Sequence, residues 1–222
     1  MPSQKAKRKT AQPRRDNLPL LIGGGVVAIL VVALLVWANF LQSSAPPASV
    51  ALSTGRIWGK ADAPVTIEEY ADFQCPICGQ EEKQLLQVAP KYFDTGKAKL
   101  VFHNFAFIGQ ESVWAAEAAT CAQDQNKFFD YAALVYANQA GENKGAFSKD
   151  NLKGFAQQLK LDMTTFNSCL DTDKYLAQVQ QESAEATTRG INSTPTLFIN
   201  GQQYTGALSA DQLGQYIDSV KK

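Results

Sequence analysis

The spacing of apolar and polar positions predicts a β-strand over residues 65–73. The apolar side chains that share one face of this strand, at a period of two, are Val65, Ile67, Ala71 and Phe73. A proline at position 76 then opens a helical stretch, which we expect to end near Val88 because Pro90 disfavours helical backbone in the residue before it. Lys99–His103 is a second short strand. This strand, helix, strand order is typical of a parallel crossover in an α/β fold.

A long helical region follows, in which the sequence predicts four helices. These helices cover approximately Glu111–Gln123, Lys127–Asn138, Leu152–Leu159 and Lys174–Arg189. Ser148 is a suitable N-cap for the third helix, and Gly190 is a suitable residue immediately after the fourth.

After the helical region the chain returns to strand character at Thr196–Asn200. The Asn-Gly pair at the end of this strand predicts a two-residue hairpin turn into Gln202–Thr205. Ser209 followed three residues later by Gln212 is a capping-box pattern, so we expect a C-terminal helix to begin there.

The N-terminal part of the chain has a different pattern, because residues 18–41 contain no charged side chain. As a helix, Leu20–Leu41 would be about 33 Å long at about 1.5 Å per residue, which is enough to span a bilayer. A cleavable signal peptide is the alternative, although its apolar stretch is normally only about 7 to 15 residues long. We therefore predict a transmembrane helix at 18–41, a small, polar, proline-bearing linker at 42–55 and a folded domain at 56–222.

The distribution of charge predicts the orientation of the predicted transmembrane segment. Residues 1–17 carry six cations against a single acid, Asp16, and no cation follows the span before Arg56. This excess favours a cytoplasmic N-terminal tail and an extracytoplasmic domain. The chain has 21 basic and 21 acidic side chains, so beyond the tail no basic excess is left with which to bind nucleic acid. All four cysteines follow the predicted span and thus lie in a compartment where disulfides persist.

The chemically distinctive motif is a pair of cysteines at the point where a strand gives way to a helix. Its residues are Cys75, Pro76, Ile77 and Cys78. Proline is favoured at the first helical position, so Cys75 becomes the N-cap and its sulfur faces free backbone amides. Such sites lower a cysteine pKa from about 8.5 to roughly 3.5–7.5 and favour the thiolate. The motif therefore predicts thiol-disulfide exchange through a mixed disulfide on Cys75, with Cys78 as the resolving cysteine.

Half of a zinc site is the alternative interpretation of two cysteines at this spacing. The chain has no second pair of this kind, and its only histidine, His103, lies in a predicted strand. We therefore predict no metal and no bound cofactor, and we interpret His103 as a structural residue.

Two stretches of the sequence resemble those of a known family. They are EYADFQCPICGQ around the cysteine pair and STPTLFINGQ near the C-terminus, with the helical region between them. Over about residues 55–220 the chain is similar to the DsbA-like branch of the thioredoxin superfamily, specifically to its membrane-anchored disulfide oxidoreductases. The resemblance implies an α/β thioredoxin fold with a helical domain inserted at about 108–189, in a chain that begins with one transmembrane helix.

The resemblance also implies which residues form the site. It makes Cys75 and Cys78 a redox-active pair that faces a loop with a cis proline, Pro195. The backbone next to this proline would pair with an extended substrate in the manner of a strand. The residues expected to bind substrate are Pro76, Ile77 and Thr194. Several strong oxidants of the family have histidine where this chain has Ile77, so we do not expect an extremely oxidising potential.

Glu69 is an acid on the otherwise apolar face of the first predicted strand, six residues before Cys75. It is either an exposed carboxylate at a strand edge or a buried carboxyl whose raised pKa allows it to exchange a proton with Cys78. A similar buried acid occurs at the matching strand position of DsbA-like proteins, which favours the second interpretation. Glu68, on the other face, is the weaker candidate.

Two further cysteines, Cys121 and Cys169, lie in different parts of the inserted region. Cys121 shares a helix face with Trp114 and Ala118, so a small buried thiol is one interpretation. We favour a structural disulfide between the two cysteines, because unpaired thiols outside the cytoplasm are vulnerable and some DsbA-like relatives have a second bridge here.

These features predict a membrane-anchored thiol:disulfide oxidoreductase that forms disulfides in exported proteins. An extracytoplasmic reductase or isomerase is the alternative within redox chemistry, and a non-catalytic thioredoxin-like binding module is the alternative outside it. The expected partners are exported proteins with free thiols, the lipid bilayer through residues 18–41 and, by resemblance, a quinone-linked membrane protein that reoxidises the cysteine pair.

Overall fold

The computed structural model describes residues 53–220, so the predicted tail, transmembrane helix and most of the linker lie outside the described residues. No helix in this described part has the length and apolar character needed to cross a membrane. The strands in residues 53–220 are β1 (Ser53–Thr54), β2 (Ile57–Trp58), β3 (Val65–Ala71), β4 (Ala98–Asn104), β5 (Thr196–Ile199) and β6 (Gln202–Thr205). The helices there are α1 (Pro76–Tyr92), α2 (Gln110–Gln123), α3 (Phe128–Ala137), α4 (Lys149–Gln158), α5 (Met163–Asp171), α6 (Leu176–Thr188) and α7 (Ala210–Ser219).

The strands form one mixed sheet in the order β1-β2-β4-β3-β5-β6. Strands β3 and β4 are parallel and are joined by α1, as the sequence predicts, whereas β5 runs antiparallel to β3. In this register Glu69 lies between Phe102 of β4 and Leu197 of β5. Strand β3 is therefore central, and its carboxyl end leads directly to the cysteine pair.

Helix α1 begins at Pro76 as predicted, but the prediction that it ends near Val88 is wrong. The helix continues through Pro90 to Tyr92. Pro90 removes one backbone donor, but Ala89 and Tyr92 are buried in the core, and the amide of Phe93 donates to the Ala89 carbonyl at 2.9 Å. Packing of the last turn therefore outweighs the local preference of the proline.

The helical insertion lies between β4 and β5, and its helices run from residue 110 to residue 188, close to the predicted 108–189. The four predicted helices are present, and Ser148 caps α4 by accepting a hydrogen bond from the amide of Asn151. A fifth helix, α5, was not predicted. Its N-cap is Asp162, whose carboxylate accepts from the amide of Thr165 at 2.7 Å.

The C-terminal elements match the sequence patterns. Asn200 and Gly201 have φ angles of 47° and 85°, which are the left-handed values required by the predicted hairpin turn. The capping box of Ser209 and Gln212 starts α7. At the other end, Ser53 pairs with Trp58 in β1 and β2, so regular pairing begins within the stretch predicted to be linker.

Candidate active site

Cys75 occupies the position that the sequence predicts, after β3 and at the N-cap of α1. Its backbone is extended, with φ −66° and ψ 118°, and its carbonyl accepts the hydrogen bond from Gly79 that opens the helix. The residue is 7% exposed, and both Cys75 and Cys78 are free thiols in this structure. The described site is therefore that of the reduced protein.

The surroundings of Cys75 favour its thiolate. A hydrogen bond from the Cys78 thiol lowers the pKa of Cys75 most, and smaller contributions come from the Thr194 side chain and from the amides of Cys78 and Ile77. These effects exceed the opposing effect of burial and bring the pKa to about 6. The sulfur makes no direct capping hydrogen bond, so the helix amides act at longer range than a conventional N-cap implies.

Cys78 has the opposite environment. Its residue is fully buried, and burial is the main cause that raises its pKa well above the usual value. The hydrogen bond to Cys75 and the charges of Cys75 and Glu69 raise the pKa further, against a hydrogen bond from the Asp72 amide. The two sulfurs therefore differ in pKa: the surroundings favour the thiolate at Cys75 and the thiol at Cys78.

The loop before β5 lies against Cys75. The bond between Thr194 and Pro195 is cis, as the resemblance implied, and the Thr194 carbonyl is 3.4 Å from the Cys75 sulfur. The Pro195 carbonyl accepts from the amide of Gly206 at 2.9 Å, which ties this loop to the end of the hairpin. The structure thus brings the cysteine pair and the proline loop together.

Two large hydrophobic side chains are exposed within the described residues. Ile77, between the two cysteines, is 39% exposed, and Phe107, whose amide donates to Asp72, is 51% exposed. Pro76 is also exposed, and Thr194 is half-buried. Pro76, Ile77 and Thr194 are therefore accessible, as substrate-binding residues must be, while Phe107 was not predicted.

Glu69 is buried, in agreement with the second interpretation of its place on β3. It is 1% exposed, and neither carboxyl oxygen has a hydrogen-bond partner among the described residues. Burial raises its pKa well above the usual value, and the carboxyls of Glu81 and Glu82 raise it further. Glu68, on the other face, forms a 2.6 Å ion pair with Arg189. Proton exchange between Glu69 and Cys78 stays a prediction.

Two acids of α1 that sequence reasoning missed lie in the same region. Glu81 and Glu82 are buried, and burial raises the pKa of each to about 7. One oxygen of Glu81 accepts from the amide of Leu208 at 2.6 Å, and the other has no partner in the described structure. Their spacing from Cys78 and Leu85 places them on the buried face of α1, so helical periodicity was the signal that could have found them.

Asp72 is the second missed feature, and it shapes the loop before the cysteines. Its buried carboxylate accepts hydrogen bonds from the amides of Gln74, Phe107 and Ile108 at 2.8, 2.9 and 3.1 Å, and from the Ser112 hydroxyl at 2.5 Å. Burial raises its pKa even so, since desolvation outweighs these bonds. Asp72 therefore connects the end of β3 with the start of the insertion.

The remaining predicted residues lie away from this chemistry. His103 stacks on Tyr70 with ring centroids 4.5 Å apart, and burial lowers its pKa, which is consistent with a structural role. Cys121 and Cys169 form a disulfide that joins α2 to α5 across a separation of 48 residues. A closed loop of that size stabilises the fold by roughly 4 kcal/mol in the chain-entropy description.

The arrangement can carry out dithiol-disulfide exchange. A sulfur that favours the thiolate and a shielded second sulfur one helical turn away are the two groups that such exchange requires of the protein. Within residues 53–220, no cluster of three or more His, Cys, Asp or Glu side chains is arranged to hold a metal ion.

Comparison with known proteins gives consistent similarities. Residues 51–219 match a family model described as Thioredoxin. The chain is 31% identical over 156 residues to a probable disulfide bond formation protein D of Bacillus cereus, a match that covers 68% of this chain and 72% of that protein. The crystal structure of oxidised BdbD from Bacillus subtilis superposes with a TM-score of 0.67 at 25% identity, covering 77% of this chain and 97% of that one. The fold is also that of alpha-DsbA1 from Wolbachia pipientis, with a TM-score of 0.66 at 22% identity over 76% of this chain and 92% of that one.

Proposed function

The chain belongs to the DsbA-like thioredoxin family and is a thiol-disulfide oxidoreductase of disulfide formation, and from that premise we propose that Cys75 and Cys78 oxidise exported proteins outside the cytoplasm. The observation that carries this proposal is the difference between the two sulfurs. A pKa of about 6 for Cys75 beside a raised pKa for Cys78 stabilises the reduced pair as a thiolate and a thiol. Stabilisation of the reduced form makes a dithiol an oxidant.

The exchange proceeds in two steps. A substrate thiolate attacks the Cys75 sulfur of the oxidised pair, the bond between the cysteines breaks, and its electrons leave on Cys78, which takes up a proton. A second substrate thiolate then attacks the substrate sulfur of the mixed disulfide, and Cys75 leaves as a thiolate. The substrate loses two electrons and gains one disulfide. Glu69 is the proposed source of the proton for Cys78, and Pro76, Ile77 and Thr194 are the proposed substrate-binding residues.

The redox equilibrium of the pair tests the direction of the reaction. We expect the full chain in detergent, equilibrated with glutathione buffers and trapped with acid and an alkylating reagent, to be reduced at a potential more positive than the roughly −270 mV of thioredoxin. The reason is the stabilised thiolate of Cys75. A midpoint near the thioredoxin value would favour the alternative, a reductase.

We propose that residues 18–41 anchor the protein with residues 1–17 in the cytoplasm. The charge excess before the segment and the absence of charge within it support this orientation. A membrane-impermeant maleimide applied to intact cells after mild reduction should label the full chain, with Cys75→Ser as the matched control that loses most labelling. Labelling that requires cell lysis would place the cysteines inside and contradict the proposal.

Reoxidation of the pair requires an electron acceptor. A thioredoxin-fold dithiol that has oxidised its substrate stays reduced until another disulfide or an oxidant removes two electrons. A quinone-linked membrane protein is the proposed acceptor, and the support for it is the resemblance to anchored DsbA-like proteins.

A further inference from the structure

A side-chain amide in a loop of the helical insertion binds the backbone of the active-site loop at two carbonyls. Gln139 follows α3, and its Nε2 donates to the carbonyl of Phe73 at 2.8 Å and to the carbonyl of Cys75 at 2.9 Å. These two carbonyls flank Gln74 in the chain that carries the nucleophilic sulfur. One side chain of the insertion therefore binds the backbone on both sides of that position.

The first turn of α1 is shaped to admit this amide. A Cβ atom at Gly79 would collide with the Gln139 side-chain oxygen, so glycine at this position permits the close approach. The Cys75 carbonyl also accepts from the Gly79 amide at 3.2 Å. The contact thus combines two donors on one carbonyl with close packing against the helix.

Further hydrogen bonds hold the loop that carries Gln139. The Gln74 side chain accepts from the amide of Asn143 at 2.6 Å and donates to the Ser112 hydroxyl at 2.9 Å. The buried carboxylate of Glu111 accepts from the amides of Gly145 and Phe147 at 2.8 Å each. The loop that carries Gln139 is therefore itself held by hydrogen bonds. Because the loop is held, the Gln139 amide keeps a fixed position relative to the backbone of Cys75.

We propose that Gln139 is a positioning residue that holds Cys75 in the orientation in which its sulfur exchanges with substrate. This inference rests on the proposed function, because it concerns how the same sulfur is tuned. The hydrogen bonds that the Gln139 amide donates go to backbone carbonyls. Gln139 acts by fixing the carbonyls of Phe73 and Cys75, and thereby the direction in which the sulfur meets the amides of Ile77 and Cys78.

The physical reason is the directionality of hydrogen bonds. The thiolate is stabilised by the Cys78 thiol and, at longer range, by the helix amides, and each of these weakens steeply as the donor turns away. Without the amide of Gln139, the Phe73 carbonyl loses its donor and the Cys75 carbonyl keeps only Gly79. The loop then samples orientations in which the thiolate is less well stabilised.

The test compares Gln139→Met and Gln139→Leu with Gln125→Met in the full chain. Methionine keeps the length of the side chain without donors, and leucine removes the donors with a shorter side chain. Neither adds a charge that would itself shift the pKa of Cys75. Gln125 is the matched control, since it is also half-buried in the insertion and makes two hydrogen bonds, both to Asp162 at 2.7 and 3.2 Å. The readouts are thiolate absorbance at 240 nm against pH and the equilibrium with glutathione.

We expect both Gln139 variants to raise the apparent pKa of Cys75 by about one unit and to shift the glutathione equilibrium roughly tenfold toward the disulfide. Gln125→Met should lower thermal stability without either change. If both Gln139 variants lower thermal stability only and match the wild type in both readouts, the role is structural and the inference fails. The leucine variant decides the question if the methionine variant does not fold. A wild-type chain that does not exchange with glutathione would overturn the proposed function itself, which separates the two failures.

Discussion

Cys75→Ser is expected to lower the rate of disulfide transfer by roughly a thousandfold or more, because a serine oxygen cannot form the mixed disulfide. The measurement is oxidation of a reduced, unfolded test protein by the full chain. A pH series supplies a second readout on the reduced wild type. Its alkylation rate should rise with pH and level off above about 6, since the thiolate is the reacting species and the Cys75 pKa is about 6. The serine variant should lack this rise.

The matched control is Cys78→Ser. This variant keeps the nucleophile but loses the resolving sulfur, so we expect it to accumulate mixed disulfides with substrate rather than to turn over. Retention of full turnover by Cys75→Ser would contradict the assignment of the nucleophile. Retention of a bound partner without turnover in the wild type would favour the binding-module alternative.

The parts of the fold that local patterns encode could be predicted from the sequence. Strand β3, the start of α1 at Pro76 and the capping box at Ser209 each depend on neighbours within a few residues. The family motif added what local chemistry alone leaves open. A proline such as Pro195 is most often trans, and only its place in the motif pointed to the cis bond that the structure has.

Features set by distant partners could not be predicted. Helix α1 passes through Pro90 because buried side chains hold its last turn, and burial depends on the whole core. Asp72 and Gln139 look like ordinary loop residues in the sequence, since both partners of the Gln139 side chain and all but one partner of the Asp72 side chain lie 35 or more positions away. Glu82 lies between these two cases, because helical periodicity places it on the face of α1 that also carries Cys78 and Leu85, whereas the extent of its burial depends on packing against the rest of the core.

The buried carboxyls near the cysteine pair raise one another's pKa values, and one of them also raises the pKa of Cys78. Glu69, Glu81 and Glu82 all have raised pKa values, and each carboxylate that forms makes ionisation of the others harder. Glu69 and Cys78 are also coupled, because the Glu69 charge raises the pKa of the Cys78 thiol. Formation of a thiolate at Cys78 and of a carboxylate at Glu69 therefore oppose each other, which is the coupling that the predicted proton exchange between them requires.

Glu69→Gln is expected to slow formation of the mixed disulfide by about a hundredfold, because an amide cannot give a proton to the departing Cys78 sulfur. Wild-type Glu69 is protonated below its raised pKa, so the wild-type rate, divided by the fraction of the attacking thiol that is ionised, should fall as pH rises through that value. The variant should show a lower rate without this fall. The measurement is stopped-flow attack of a small thiol on the oxidised full chain across pH 5 to about 9.

Glu69→Gln is expected to lower the exchange rate but to raise the free energy of unfolding at alkaline pH. The two measurements together therefore separate a catalytic role of Glu69 from a structural one. The folded-state pKa of Glu69 is raised, so its contribution to stability is fully present below the unfolded value and is lost as pH rises through the folded one. Glu69→Gln removes that loss and should be the more stable protein at alkaline pH. Glu68→Gln is the matched control, because it removes only a partly exposed ion pair with Arg189 and should leave the exchange rate unchanged. An unchanged rate and pH profile in Glu69→Gln would contradict proton transfer by this carboxyl.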